Sequence, residues 1–84
     1  MKTLELSKLK PGEKAIIKEI NLQGKLKYRL LELGIVENTK FKLIKYAPLG
    51  DPIQISIRGY NLAMRKETAK KIKIEKIDEW RKQW

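Results

Sequence analysis

The chain has 84 residues, no cysteine, no histidine and a formal net charge of +10. A chain this short forms one domain with a thin core, and without Cys or His it has no disulfide and no thiolate or imidazole metal ligand. We therefore expect hydrophobic packing to hold the fold, with no resident cofactor and no preformed tight transition-metal site. The first residues contain no apolar signal-peptide core, which predicts a cytoplasmic protein.

The first third of the chain predicts a turn and then a strand. A Pro-Gly pair at residues 11–12 is typical of a β-turn, and residues 13–20 have the composition and alternation of a β-strand. Alternation predicts two faces, with Ile16, Lys18 and Ile20 on one and Ala15 and Ile17 on the other.

Residues 26–34 change to a helical period. Leu26, Leu30 and Leu33 are spaced i, i+4 and i+7, which predicts one apolar helix face. Gly34 follows where a helix C-cap is expected.

Residues 39–47 return to alternation and predict a strand. Phe41 and Leu43 fall on one face and Lys40 and Lys42 on the other. The phase slips at Leu43-Ile44, which predicts a bulge or a bend.

Residues 53–65 predict a hairpin. Isoleucines at 53, 55 and 57 alternate with polar residues, and Gly59-Tyr60 is read as a two-residue turn with glycine first. That turn would pair Ile57 with Leu62 and Ile55 with Met64.

The remaining pattern predicts one helical turn over 66–71 and a last strand over 72–77. Five short strands and little helix indicate a mostly β fold with short helices, which we interpret as a small barrel with a helical insertion. Closure of the sheet would also protect its edges.

No pattern in the chain predicts an enzyme. The only serines, Ser7 and Ser56, have no histidine to activate them, and the chain has no Gly-rich phosphate loop. Because no nucleophile, base or phosphate cradle is present in recognisable spacing, we expect a binding protein.

Three stretches carry a family resemblance. In chain order they are "RLLELGI" (29–35), "APLGDPI" (47–53) and "RGYNLAMRKETA" (58–69). Together with the opening segment 6–20 they strongly resemble the ferrous-iron transport protein A (FeoA) family, over about residues 4 to 77. The resemblance implies an SH3-like β-barrel with a helical insertion over residues 1–77. It also carries the family's label of transition-metal binding.

The same resemblance implies a role and partners. It points to a small cytosolic accessory of bacterial or archaeal ferrous-iron uptake, acting on the membrane transporter FeoB, which has a cytosolic GTP-binding domain. Two departures stand out: Asn38 replaces the usual glycine, and the tail 78–84 runs past the usual end. We expect Trp80 and Trp84 in this tail to pack on the barrel or on a second copy, giving a possible homo-oligomer.

The expected partner site combines a loop and a helix. In "APLGDP" the turn chemistry accounts for every residue except Leu49 at the tip, which either folds back onto the barrel or faces a partner. If Leu31 is exposed beside it, the two form one apolar patch. The candidate partner-binding residues are Arg29, Leu31, Pro48, Leu49, Gly50 and Asp51.

The positive charge leaves an alternative role open. A basic SH3-like module related to the C-terminal domain of iron-dependent repressors would bind nucleic acid or regulate transcription. Small barrels that bind single strands use aromatic stacking platforms, and here the aromatic residues are dispersed. Nucleic acid is therefore the less favoured partner, and the charge also suits an anionic membrane surface.

Overall fold

The computed structural model describes residues 3–77 as a six-stranded antiparallel sheet with two short helices. The strands are ordered β1-β6-β2-β3-β4-β5 across the sheet. In chain order the elements are β1 (Leu4–Glu5), a 3-10 turn (Leu6–Lys8), β2 (Lys14–Ile20), α1 (Gly24–Glu32), β3 (Lys40–Tyr46), β4 (Ile53–Ile57), β5 (Tyr60–Met64), α2 (Lys66–Ala69) and β6 (Ile72–Ile77). The predicted mostly β fold with short helices is confirmed. β1 was not predicted, because two residues are too few to show alternation.

The core is one cluster of buried aliphatic side chains on the inner face of the sheet. All strands from β2 to β6 contribute, and Leu6 and Leu9 from the N-terminal segment join them at 0% and 2% exposure. The largest fully buried strand residues are Ile17, Leu43, Ile53, Ile55, Ile57, Ile72 and Ile74. Because β2 to β6 all contribute side chains to this cluster, separating any two of these strands would expose apolar surface to water.

β2 corrects the predicted assignment of faces. Its pairing with β6 shifts register between Ile17 and Glu19, so Lys18 is an extra residue in the strand. The bulge reverses the alternation, and Ile20 is buried with Ala15 and Ile17 instead of facing the other side. The sequence interrupts its alternation there, with Lys18 and Glu19 as consecutive charged residues, whereas the prediction assumed an unbroken two-residue period.

β3 follows its prediction closely. Phe41 and Leu43 are buried, and Lys40 and Lys42 are exposed. The pairing with β4 shifts register between Leu43 and Lys45, which confirms the predicted bulge.

Helix α1 begins and ends two residues earlier than predicted. On the predicted apolar face Leu30 is buried and Leu33 is half-buried, whereas Leu26 is 42% exposed, so the face is covered only toward the end of the helix. The predicted cap is confirmed. Gly34 has a φ of 94°, the Ile35 N–H donates to the Leu30 carbonyl at 2.9 Å, and the Gly34 N–H donates to the Leu31 carbonyl at 3.0 Å. This is a Schellman motif, and its left-handed residue favours glycine.

The β4–β5 hairpin has a different turn from the predicted one. Ile57 pairs with Tyr60, Ile55 with Leu62 and Ile53 with Met64, so the turn residues are Arg58 and Gly59. Both have positive φ, 53° and 88°, as a type I′ turn requires. The two-residue slip preserves the faces of both strands, so hydrophobic alternation could not separate the two registers.

Other backbone predictions are confirmed. Gly12, Asn38 and Gly50 have φ values of 91°, 70° and 87°. Asparagine therefore does support the left-handed turn at position 38. The helical turn over 66–71 is α2, and the last strand lies where it was predicted. Within residues 3–77, the helices are too short and polar to cross a membrane.

Candidate partner-binding site

The 47–52 loop connects β3 to β4 and presents Leu49 to solvent. Leu49 is 96% exposed, so of the two alternatives the side chain does not fold back onto the core. Pro48 is exposed beside it. The loop therefore displays an apolar tip that contributes nothing to the packing of this fold.

Backbone hydrogen bonds close the loop internally. The Gly50 N–H donates to the Ala47 carbonyl at 2.7 Å, and the Ala47 N–H donates to the Pro52 carbonyl at 2.9 Å. The Asp51-Pro52 peptide bond is cis. Leu49 thus sits at the outer end of a hydrogen-bonded turn.

Asp51 ties the loop to α2. Its Oδ1 accepts a hydrogen bond from the backbone N–H of Lys66 at 3.0 Å, and its Oδ2 lies 3.9 Å from Nε of Arg65. Lys66 is the first residue of α2, where backbone N–H groups lack partners within the helix. The Asp51 carboxylate therefore braces the outgoing side of the loop, so a structural role accounts for this residue.

Tyr46 holds the incoming side. Its hydroxyl reaches the carbonyl oxygens of Leu9 and, at 3.1 Å, Ser7. Burial, and then the nearby charge of Glu13, raise the pKa of Tyr46, so it stays protonated and able to donate at neutral pH. The residue before the loop is therefore anchored to the N-terminal segment.

Glu13 supports the same end of the sheet. Its Oε1 accepts from the backbone N–H of Lys10 at 2.7 Å, and its Oε2 lies 3.0 Å from Nζ of Lys76. The Lys10 hydrogen bond, followed by the Lys76 interaction, lowers the pKa of Glu13. Its backbone also pairs with Leu43, whose N–H donates to the Glu13 carbonyl at 2.9 Å.

The helix residues of the predicted site lie elsewhere. Arg29 is exposed and Leu31 is 37% exposed, but the C-terminal end of α1 lies at the β4–β5 turn. A Cβ on Gly34 would come within 2.8 Å of Cδ of Arg58. The 47–52 loop is at the opposite end of the five-residue β4, a strand length of about 13 Å. The structure therefore brings together residues 48–51 and separates them from the helix residues.

The supports of the loop were not predicted. Tyr46 is one of several aromatic residues dispersed along the sequence, and Lys66 offers only its backbone N–H. A long-range backbone contact leaves no periodic signal in the sequence. Only the hydroxyl of a tyrosine placed directly before a turn hinted at such a role.

The acidic side chains do not form a metal centre in the described part of the chain. Within residues 3–77, no three His, Cys, Asp or Glu side chains lie together as a cation site would need. The expectation about tight metal binding concerns solution behaviour and stays a prediction. The expected packing of Trp80 and Trp84 lies outside the described residues.

Comparison with curated proteins gives two informative relatives. The chain is 36% identical over 74 residues to the Fe(2+) transport protein A/Fe(2+) transporter FeoB fusion protein of Porphyromonas gingivalis, covering 88% of this chain and 9% of that protein. It is 32% identical over 74 residues to the putative Fe(2+) transport protein A of Campylobacter jejuni, covering 88% of this chain and 100% of the relative. This chain thus matches a small part of the first relative and the full length of the second.

Solved structures match the fold. The FeoA-like protein of Clostridium acetobutylicum superposes with a TM-score of 0.83 at 32% identity, covering 93% of this chain and 91% of that one. The T. acidophilum IdeR structure matches with a TM-score of 0.80 at 16% identity, covering 93% of this chain and 35% of that one, and this likeness shows the fold alone. The SH3-like fold prediction is confirmed.

The family comparison covers most of the chain. The FeoA domain family matches residues 4–76, which include the whole sheet except the last residue of β6, both helices and the 47–52 loop. The chain belongs to the FeoA family.

Proposed function

We propose that this chain is an accessory protein of a membrane ferrous-iron transporter and docks on the transporter's cytosolic GTP-binding domain through the 47–52 loop. The name of the P. gingivalis relative places a transport protein A and a FeoB transporter in one chain. A fusion keeps two proteins side by side, which supports direct contact between their separate counterparts. The protein would then work at the inner face of the membrane, with iron as the transporter's cargo.

The exposure of Leu49 is the observation that carries the loop assignment. Full burial of a leucine contributes about 2 kcal/mol, and this one is 96% exposed. Hydrogen bonds at Tyr46 and Asp51 hold the loop before any partner arrives. A preordered loop loses little conformational entropy on binding, so more of the contact energy appears as affinity.

The test is a titration of the chain against the isolated GTP-binding domain, with GTP, with GDP and without nucleotide. We expect saturable binding and a loss of affinity of about thirtyfold for Leu49→Asp, the size of a moderate hot spot. Leu26→Asp is the matched control, since Leu26 is also exposed but lies on α1. Both variants should unfold close to the wild-type temperature.

The competing outcomes are separable. A large loss of stability in Leu49→Asp would mean that the side chain packs in solution, against the docking assignment. Equal loss of affinity in both leucine variants would place the contact elsewhere. Leu31→Asp tests the helix residues separately, and a loss confined to that variant would move the docking surface to α1.

Nucleic-acid binding remains the alternative prediction. It would give a steep linear fall of log affinity with log salt concentration on generic oligonucleotides. Absence of binding at physiological salt would remove it. The likeness to the T. acidophilum IdeR structure does not favour it, because that likeness extends only to the fold.

A further inference from the structure

We infer that the outer face of the sheet around β3 docks on anionic phospholipid headgroups. The surface is defined by four residues of β2 and β3, namely Lys14, Lys40, Lys42 and Lys45, and is called the lysine face below. It is distinct from the 47–52 loop. The inference does not depend on the proposed transporter contact.

The sheet register brings these residues together. Lys42 pairs directly with Lys14, and Lys40 pairs with Ile16 on the same strand, β2. On the other side of β3, Lys42 pairs with Ser56 and Lys45 with Gln54. Residues that face each other on neighbouring strands have Cβ atoms about 5 Å apart. The lysines therefore form one continuous strip and not a scatter of surface charges.

Uncharged residues, three of them polar, continue the strip across the hairpin. Ser56 pairs with Asn61, and Gln54 with Ala63. These groups add hydrogen-bonding capacity without opposing charge. Among the paired residues of β3, β4 and β5 there is no acid.

Glu75 of β6 and Glu13, the residue before β2, already have cationic neighbours. Glu75 is 3.6 Å from Lys18, and Glu13 is 3.0 Å from Lys76. None of the ion pairs found within residues 3–77 uses Lys40, Lys42 or Lys45. Within this part of the chain no carboxylate offsets their mutual repulsion through an ion pair, and an anionic surface would relieve that repulsion.

The face lacks the features of a nucleic-acid platform. Single-strand binding by a small barrel needs aromatic rings on the exposed sheet face. Here Phe41 pairs with Ile57 and Tyr46 with Ile53, and Tyr60 pairs with Ile57, so all three aromatic strand residues belong to the inner face. The cations are lysines, which act as point charges, whereas base recognition favours the planar fork of arginine.

An anionic membrane fits the same features. Lipid headgroups present a laterally adaptable layer of negative charge, which matches a strip of lysines without stacking sites. Each suitably placed lysine contributes about fivefold to membrane affinity, so several in one strip act together. The contribution weakens with salt, because the charges are screened over about 8 Å at physiological ionic strength.

The test is co-sedimentation of the full chain with vesicles of equal parts phosphatidylglycerol and phosphatidylcholine. Vesicles of phosphatidylcholine alone form the neutral arm. Lys40→Gln/Lys42→Gln is the test variant and Lys25→Gln/Lys27→Gln on α1 is the control, with the same net charge. We expect binding only to anionic vesicles, a loss of about twentyfold in the test variant and of less than about threefold in the control.

Thermal unfolding of both variants checks that each is folded. We expect both to fold, because the four substituted lysines are all exposed. Equal losses of vesicle affinity in the two variants would mean that only net charge matters, and would overturn the assignment of the lysine face. Lack of binding to anionic vesicles at physiological salt, or equal binding to neutral ones, would overturn it as well. Tighter binding to a generic oligonucleotide, weakened by the test variant, would assign the face to nucleic acid instead.

Discussion

The two connections at the ends of β4 reverse the chain by different means. The 47–52 loop contains two prolines and a glycine, closes on its own backbone and leaves Leu49 in solvent. The Arg58–Gly59 turn has an arginine at a φ of 53°, with its side chain lying over Gly34. The first is determined by local turn residues and is free to serve a partner, whereas the second depends on the end of α1.

The contrast shows why one of these turns was predicted correctly and the other was not. Proline and glycine restrict the 47–52 loop whatever surrounds it. A non-glycine residue at positive φ costs about 1–2 kcal/mol, so the sequence favours a glycine as the first turn residue. Tertiary contacts and strand pairing overcome this local preference at Arg58.

The largest expected effect follows from disturbing the contact between α1 and the hairpin turn. Gly34→Ala should lower the free energy of unfolding by about 2 kcal/mol, since alanine is unfavourable at positive φ. Its Cβ would also displace the Arg58 side chain from 2.8 Å. Urea unfolding measures the change, and Arg58→Ala in the same background shows how much of it arises from that contact. A loss below about 0.5 kcal/mol would contradict this account of the turn.

The next effect concerns the brace of the loop. Asp51→Ala should lower stability by about 1 kcal/mol, because the Lys66 N–H loses its carboxylate acceptor. Thermal unfolding measures it, with Glu32→Ala as the control for loss of an exposed acid. The variant should also bind the GTP-binding domain more weakly while keeping Leu49. Unchanged stability and affinity would mean that the loop needs no support from α2.

A smaller, stabilising effect is expected at the hairpin turn. Arg58→Asn should raise the free energy of unfolding by about 0.5 kcal/mol, because Asn-Gly is favoured in type I′ turns. Arg58→Gln removes the same charge without that preference and should not stabilise. If glutamine matches asparagine, the gain comes from charge and not from backbone conformation.

The smallest expected effect is a dependence of stability on pH, and it arises from Glu13 near the loop end of β4. The lowered pKa of Glu13 means that the unfolded chain binds its proton more readily than the folded one. The stabilisation is therefore present above the unfolded pKa and is lost as pH falls through the folded pKa. We expect about 0.3 kcal/mol, typical of a partly exposed pair. Glu13→Gln should be less stable than wild type at neutral pH and should approach it in acid, and a pH-independent difference would contradict the assignment.

The sequence also predicted much of the sheet and of the candidate site. The period of residues 53–57 could be recognised because every second side chain is a large aliphatic, and the same alternation begins β6 at Ile72 and Ile74. Burial of these residues follows from it. The exposed apolar tip was recognisable because Leu49 was the residue that turn chemistry left unexplained. The bulge at Lys18 was missed, although the consecutive charged residues Lys18 and Glu19 between Ile17 and Ile20 carry a trace of it.

By itself, the sequence determined where β2 to β6 lie along the chain, the left-handed positions at Gly12, Asn38, Gly34 and Gly50, and the turn that exposes Leu49. These features depend on interactions within a few residues, and so each can be recognised from a short stretch of the sequence. The hairpin register, the separation of Leu31 from Leu49, the bracing by Tyr46 and Asp51, and the alignment of the lysine face were decided by the tertiary structure. Each of these depends on which distant strands become neighbours. That pairing is determined by cooperative burial of the whole core and not by the sequence of any one segment.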